Sequence, residues 1–252
     1  MRPLDKGSIP IVDGREISVA DFGEWRRFLI ERIGYYCAYC NIPLSHNLNV
    51  EHVIPKNPKE GVQAGDPLAW ENMLLACGPC NNAKTNRETN PDLFYLPESH
   101  NTLIPFTIVE IPENVNAVIV EPAKELTQSQ NLKAQATIEL FDLDKIDSRN
   151  KVVDIRWRKR KAALDLARNS FELFTAIKIN NNDLLPAAAE NIARTAAESG
   201  FFIVWFEIFK NEPLVLEKLL SNEIIPGTSP NCFAENSFML KPRNPENNKD
   251  NI

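Results

Sequence analysis

The sequence predicts an α+β protein, with a small cysteine-bearing module near the N-terminus and a mainly α-helical C-terminal region. Three observations point there. Four of the five cysteines fall into two CxxC pairs, Cys37–Cys40 and Cys77–Cys80, with 36 residues between them. Apolar residues turn to helical spacing after Leu126. Between the two lies a proline-punctuated stretch with β-branched runs, of which 117–120 (AVIV) is the clearest strand.

In chain order, residues 1–34 read as an N-terminal arm (1–14) and a helix. Phe22, Trp25, Phe28, Leu29 and Ile33 share one helical face, and Gly34 stops it. Residues 35–90 form the cysteine-rich module. Residues 91–125 are a loop and strand connector, broken by Pro91, Pro97, Pro105, Pro112 and Pro122. Residues 126–240 are helical: Leu132, Ala136, Ile138, Leu140 and Phe141 lead, and a long helix spans about 148–178. Another helix follows Pro186, and one or two buried segments fill 201–220. The cluster Phe201, Phe202, Trp205, Phe206 and Phe209 is expected in the core. The polar tail 241–252 is expected to be disordered.

No apolar run is long enough for a membrane span, and the N-terminus has no signal-peptide pattern, so a cytoplasmic location is expected. In a reducing compartment, closely paired cysteines point to metal ligation rather than disulfides. Two CxxC turns supply the four thiolates of a closed tetrahedral zinc site. With no open position, that zinc is structural, and any chemistry lies elsewhere. Cys232 stands alone and reads as a small buried apolar residue.

Between the pairs run Asn49-Val50-Glu51-His52-Val53-Ile54-Pro55-Lys56 and Trp70-Glu71-Asn72-Met73-Leu74-Leu75-Ala76. The second CxxC continues into Asn81-Asn82-Ala83-Lys84. The histidines are His46, His52 and His100, which narrows the candidates for a neutral-pH general base. The order CxxC, Glu-His, Trp-x-Asn-x-Leu-Leu, CxxC-Asn-x-x-Lys resembles the zinc-bearing HNH endonucleases of the ββα-metal fold. By that resemblance His52, Asn72 and Asn81 stand at the three signature positions. Glu51 stands where many members carry aspartate, a change of one methylene with the ligand chemistry kept.

The resemblance implies phosphodiester hydrolysis leaving 5′-phosphate and 3′-hydroxyl ends. His52 would deprotonate the attacking water. Glu51 and Asn81 would hold a catalytic cation through oxygen, a set that suits Mg²⁺ or Mn²⁺. Asn72 would orient His52 or its strand. Lys56 and Lys84 are candidate phosphate contacts. Each has a plainer alternative: a hydrogen-bonded structural histidine at 52, a surface charge at Glu51, a loop asparagine at 72, a helix cap at Asn81 and a solvated lysine at 84. His46 and His100 are expected to be loop residues.

A net charge of −6 is awkward for unaided DNA binding, so local basic patches or a partner must supply affinity. The segment 151–161 (KVVDIRWRKRK) offers Arg156, Arg158, Lys159, Arg160 and Lys161 as a phosphate-contacting face. The alternative is a solvated helix face. Across the wider chain, "MRPLDKG", "GYYCAYC", "VEHVIPK", "ENMLLACGPCNNAK" and "ATIELFDLDK" resemble the HNH proteins of bacterial retron and Septu anti-phage systems. That resemblance implies an ATPase partner and a DNA substrate. The competing readings are a non-catalytic zinc module that binds nucleic acid or protein, and an RNase or nicking enzyme.

Overall fold

The computed structural model describes residues 1–46, 49–146, 154–235, 237–243 and 252. Among them the chain is α+β, with three two-stranded antiparallel sheets and seven α-helices. The first sheet pairs β1 (Ile11–Val12) with β2 (Arg15–Glu16) across an Asp13-Gly14 turn. Both turn residues take positive φ, as a tight hairpin of the strand twist requires. The extended arm expected over 1–14 is therefore a buried thread followed by a hairpin. Arg2 donates to Ile33 O, Pro226 O and Thr228 Oγ1, and Lys6 to Glu71 O, Met73 O and Glu98. Buried cations satisfied by carbonyls tie this thread into the fold.

A 3₁₀ turn, Phe22–Trp25, capped by Asp21 and Glu24, leads into α1 (Arg26–Ile33), and Gly34 ends it at φ 75°. The apolar face is as expected: Trp25, Phe28, Leu29 and Ile33 are buried, and Phe22 is half-buried. β3 (Asn49–His52) then pairs with β4 (Met73–Ala76), and α2 (Gly78–Lys84) follows at once. These three elements make a ββα unit. Every residue of β4 is buried, so one strand anchors the whole unit in the core.

The prolines of the connector mark one long hairpin rather than scattered strands. β5 (Phe106–Ile111) starts after Pro105, Pro112 sits in the turn, and β6 (Asn114–Pro122) ends on Pro122. Proline lacks the ladder donor, so it collects at strand ends. α3 (Gln128–Phe141) carries a Thr127/Gln130 capping box and packs on α2 and β6. Its buried face is Ala134, Thr137, Ile138 and Phe141, while Leu132 faces solvent.

The long helix α4 (Arg156–Asn180) begins later than expected, since Asp154 and Ile155 are not helical and 147–153 lie outside the described residues. α5 (Leu185–Ser199), α6 (Phe202–Phe209) and α7 (Pro213–Leu219) complete the helical part. Phe201, Phe202, Trp205, Phe206 and Phe209 are all in the core. The expected disordered tail needs correcting at its start. Lys241 N donates to Cys232 O, and buried Arg243 donates to Leu4 O and Pro97 O. Residues 244–251 lie outside the described set. Among the described residues, no helix is long and apolar enough to cross a membrane.

Candidate active site and metal centre

The four cysteines converge. Their sulfurs lie within 4.8 Å of one another, all buried, with Cys40 Sγ and Cys77 Sγ 3.7 Å apart. A tetrahedron with zinc–sulfur arms of about 2.3 Å has edges near 3.8 Å, so the donor set fits zinc. Local structure aims each thiol. Asn41, at φ 60°, closes the first turn, with Asn41 N donating to Cys37 O. Cys77 is the N-cap of α2, its sulfur accepting from Cys80 N. Ala38 N donates to Leu75 O, stitching the first turn to β4.

Three of the sulfurs have displaced acidities. Burial alone would raise Cys40, but hydrogen bonds from Cys37, Cys77 and Cys80 hold its thiol well below the usual range. Cys77 is pushed up, first by its hydrogen bonds with Cys37 and Cys40, and Cys80 is pushed up by burial. Four buried thiols cannot all ionise together unless a cation compensates them. The five cysteines form no disulfide, and Cys232 is buried, as a small apolar residue would be.

Beside this centre a cavity of about 300 Å³ is lined by Phe22, Val50, Glu51, His52, Lys56 and Asn81, with Lys84, Thr85 and Asn86 at its wall. His52 is half-exposed. Its Nε2 lies 3.1 Å from Pro67 O. A carbonyl only accepts, so Nε2 carries the proton and Nδ1 is left as the basic atom. The Phe22 ring packs on the imidazole at 4.7 Å between centroids. Burial, then the charges of Lys56 and Lys84, hold His52 below its ordinary pKa, against the Pro67 hydrogen bond. The imidazole is therefore neutral at pH 7, the form a general base needs.

The Asn72 side chain hydrogen-bonds elsewhere than to His52. Its Oδ1 accepts from Ile54 N at 2.7 Å, and its Nδ2 donates to Ile54 O at 3.0 Å and Asp66 O at 2.9 Å. It staples the segment after β3 to the residue preceding Pro67. Asn72 thus holds the loop whose Pro67 carbonyl meets His52. Gly65 is required there, because a Cβ would meet Asn72 Nδ2 and Ile54 O at 2.4 Å. Replacing Asn72 by alanine is expected to cost about 2 kcal/mol by orphaning these backbone groups. It should also lower kcat on the order of tenfold through the displaced carbonyl. Urea unfolding and single-turnover cleavage measure the two effects, and an unchanged kcat would remove the positioning role.

Glu51 is buried rather than a surface charge. Tyr39 Oη donates to its Oε1, and Lys84 Nζ pairs with Oε2 at 3.3 Å. Burial raises the Glu51 carboxyl, and Lys84 and Tyr39 oppose that. Lys84 is therefore neither a solvated helix residue nor a presented phosphate contact. Its ammonium is buried and committed to Glu51. Breaking a buried pair leaves a desolvated charge, so Lys84→Met is expected to destabilise the chain by about 3 kcal/mol. A denaturation midpoint equal to wild type would contradict that.

Asn81 lies in the fourth helical position of α2, so it is not the helix cap, a place Cys77 takes. Lys56 is exposed at the cavity, its Nζ 5.2 Å from the Phe22 ring centroid. His46 is an exposed bend residue. His100 is buried, with Nδ1 accepting from Leu96 N and Nε2 beside Lys133 Nζ; neither lines the cavity.

The basic run at the start of α4 divides. Arg156 and Arg160 are buried, which removes them from a phosphate-contacting face. Arg160 donates to Val118 O and lies over the Phe201 ring, its guanidinium lowered to about 10 by burial. Lys161 pairs with Asp165 and Glu110. Arg158 and Lys159 are exposed, and residues 151–153 lie outside the described set.

A larger, mainly apolar cavity of about 340 Å³ adjoins Asn72, lined by Ile54, Leu74, Leu96, Pro97 and the acids Asp66 and Glu98 among others. Its lining contains no histidine and no lysine, whereas His52, Glu51 and Asn81 line the smaller one. Phe22, expected on the α1 face, also packs on His52, and neither Tyr39 nor the Gly65-Asp66-Pro67 segment carried a site expectation. Tyr39 sits inside the first CxxC and stacks on Phe141 at 3.9 Å. The glycine–proline punctuation of 65–67 was a usable signal.

No curated protein and no solved structure matches the chain. Residues 37–87 match the family model described as HNH endonuclease. Cys37, Cys40, Cys77 and Cys80, gathered on one point within this segment, fit the zinc-bearing kind of HNH endonuclease.

Proposed function

We propose that the chain is a metal-dependent endonuclease that hydrolyses DNA phosphodiester bonds. The observation that carries this is the single cavity holding His52, Glu51 and Asn81, with Lys56 at its exposed edge. His52 Nδ1 takes the proton of the attacking water, while Pro67 O keeps the opposite nitrogen protonated. Glu51 and Asn81 would hold a Mg²⁺ or Mn²⁺ ion through oxygen. Each Glu51 oxygen, though engaged, retains a lone pair, and waters and phosphate oxygens complete such a site. When bound, the cation neutralises charge on the scissile phosphate and leaving oxygen. Lys56 steers the strand toward the cavity, and exposed Arg158 and Lys159 remain candidates for more distant phosphate contacts. Asn72 keeps the loop, and so the base, in register.

The resemblance to HNH proteins of retron and Septu systems supports a further reading, as the effector of anti-phage defence in the cytoplasm with an ATPase partner. A partner would also answer the −6 net charge. The test of the activity is supercoiled plasmid and a matched RNA, each with Mg²⁺, Mn²⁺ or chelator. Cation-dependent nicking or linearisation of DNA is expected. Cutting of RNA alone would move the assignment to a ribonuclease. Binding with no cutting under any condition, with or without a co-purified ATPase, would favour the non-catalytic zinc module.

A further inference from the structure

Arg156 lies outside the segment that matches the HNH family, yet its side chain reaches the cysteine centre. Nη1 donates to Cys80 Sγ at 2.9 Å and to Phe141 O at 2.9 Å. Nη2 donates to Asp142 O and Asp154 Oδ2, and Nε donates to Asp154. A guanidinium has five N–H donors in a fixed fork, and here every one has an acceptor. The guanidinium and the Cys80 sulfur that it meets are both buried.

Two features give that contact a purpose. Four thiolates around one divalent cation carry net charge −2, in a place where all four sulfurs are buried. A donor to a thiolate offsets part of that charge and fixes the sulfur's direction. The Arg156–Asp154 pair brings this donor without adding net charge, since its aspartate is also buried. Moreover, Cys80 is followed directly by Asn81, on the first turns of α2. Whatever fixes the Cys80 sulfur also fixes where Asn81 enters the cavity. The carbonyls of Phe141 and Asp142, at the end of α3, complete the clamp.

We propose that Arg156 is a working part of the zinc centre, binding the Cys80 thiolate from the start of α4, and thereby a positioning residue for Asn81. The helical region is then coupled to the nuclease module through one sulfur. A displacement of α4 would reach the cation site through Cys80 and Asn81. This rests on the four cysteines holding zinc and on Asn81 serving the cation, as set out above.

The test uses the full chain, with cobalt in place of zinc. Arg156→Met should shift the thiolate-to-cobalt charge-transfer band and speed zinc transfer to a competing chelator by about 10- to 100-fold, the usual effect of losing an outer partner. Mn²⁺ affinity, read by EPR without nucleic acid, should weaken several-fold. Arg194→Met, an exposed change on α5, should leave all three as in wild type. Arg156→Lys keeps the charge and loses the fork, so an intermediate effect is expected, and it provides the measurement if the methionine variant does not fold. An unchanged band and release rate in a folded Arg156 variant would overturn the zinc role. A shifted band with unchanged Mn²⁺ affinity would overturn the link to Asn81. A wild-type chain that takes up neither zinc nor cobalt overturns the zinc reading itself, a separate result.

Discussion

Replacing His52 by alanine is expected to lower cation-dependent DNA cleavage by about 10²- to 10⁴-fold, the range a positioned general base contributes. The fold should persist. His52 is only half-exposed to packing, against Phe22, and makes one hydrogen bond, to Pro67 O, so the stability cost should stay near about 1 kcal/mol. Loss of activity without loss of structure is what separates a catalytic histidine from a structural one. The pH profile carries the same argument. A general base acts in its neutral form, and burial with Lys56 and Lys84 lowers the His52 pKa from 6.5. Activity should therefore rise with pH along a limb centred below 6.5 and be level by neutral pH. In His52→Ala the limb should vanish along with most of the rate. Plasmid cleavage by both proteins across pH 5 to 8, with circular dichroism as the control, measures this. Equal rates in a folded variant would remove His52 from the mechanism.

The module was legible in the sequence because metal ligation restricts residue type and spacing more tightly than packing does. Two CxxC turns can serve one ion only if the strands between them return the chain, and β3 and β4 do so in register, with His52 opposite Met73. The α1 face was legible for a different reason: five large apolar residues at helical spacing have one way to be buried. The N-terminal thread was not legible, since Arg2 and Lys6 look like surface residues until the carbonyls that bind them are known. The same holds at α4. A run of basic residues reads as one charged face, yet helical spacing sends Arg156 and Arg160 inward and Arg158 and Lys159 outward. Composition gives no sign of which direction is inward, because a buried arginine is decided by acceptors supplied from distant elements: Cys80 and Phe141 for Arg156, Val118 for Arg160. Lys84 repeats the lesson inside the site. The motif supplied the lysine, while the tertiary fold committed it to Glu51.

Stripping zinc is expected to unfold residues 35–90 outright and to loosen α4. The reasons accumulate along the chain. Metal binding by a four-thiolate site contributes about 10–16 kcal/mol in small zinc modules, comparable with the whole stability of a typical domain. The module's regular structure is short, β3 and β4 being four residues each and α2 seven, so apart from the buried β4 the zinc is its main tie. Without the cation, Cys77 and Cys80 are held as thiols, and the buried Arg156 guanidinium faces a neutral sulfur, a weaker acceptor than a thiolate. Because α2 also carries Lys84 and Asn81, the Glu51 pair and the cation site should fail together with the zinc site rather than after it. Cys77→Ser should reproduce this, since it removes a ligand while leaving a capping oxygen for α2, so that any loss of stability reports the metal and not the cap. Chelator-treated protein should show an earlier, less cooperative thermal transition and rapid proteolysis within 35–90, both restored by added zinc. A chelated chain, shown by elemental analysis to be metal-free, that melts like the untreated protein would mean that the four cysteines are packed as thiols. The module's stability would then have to come from the apolar core around β4.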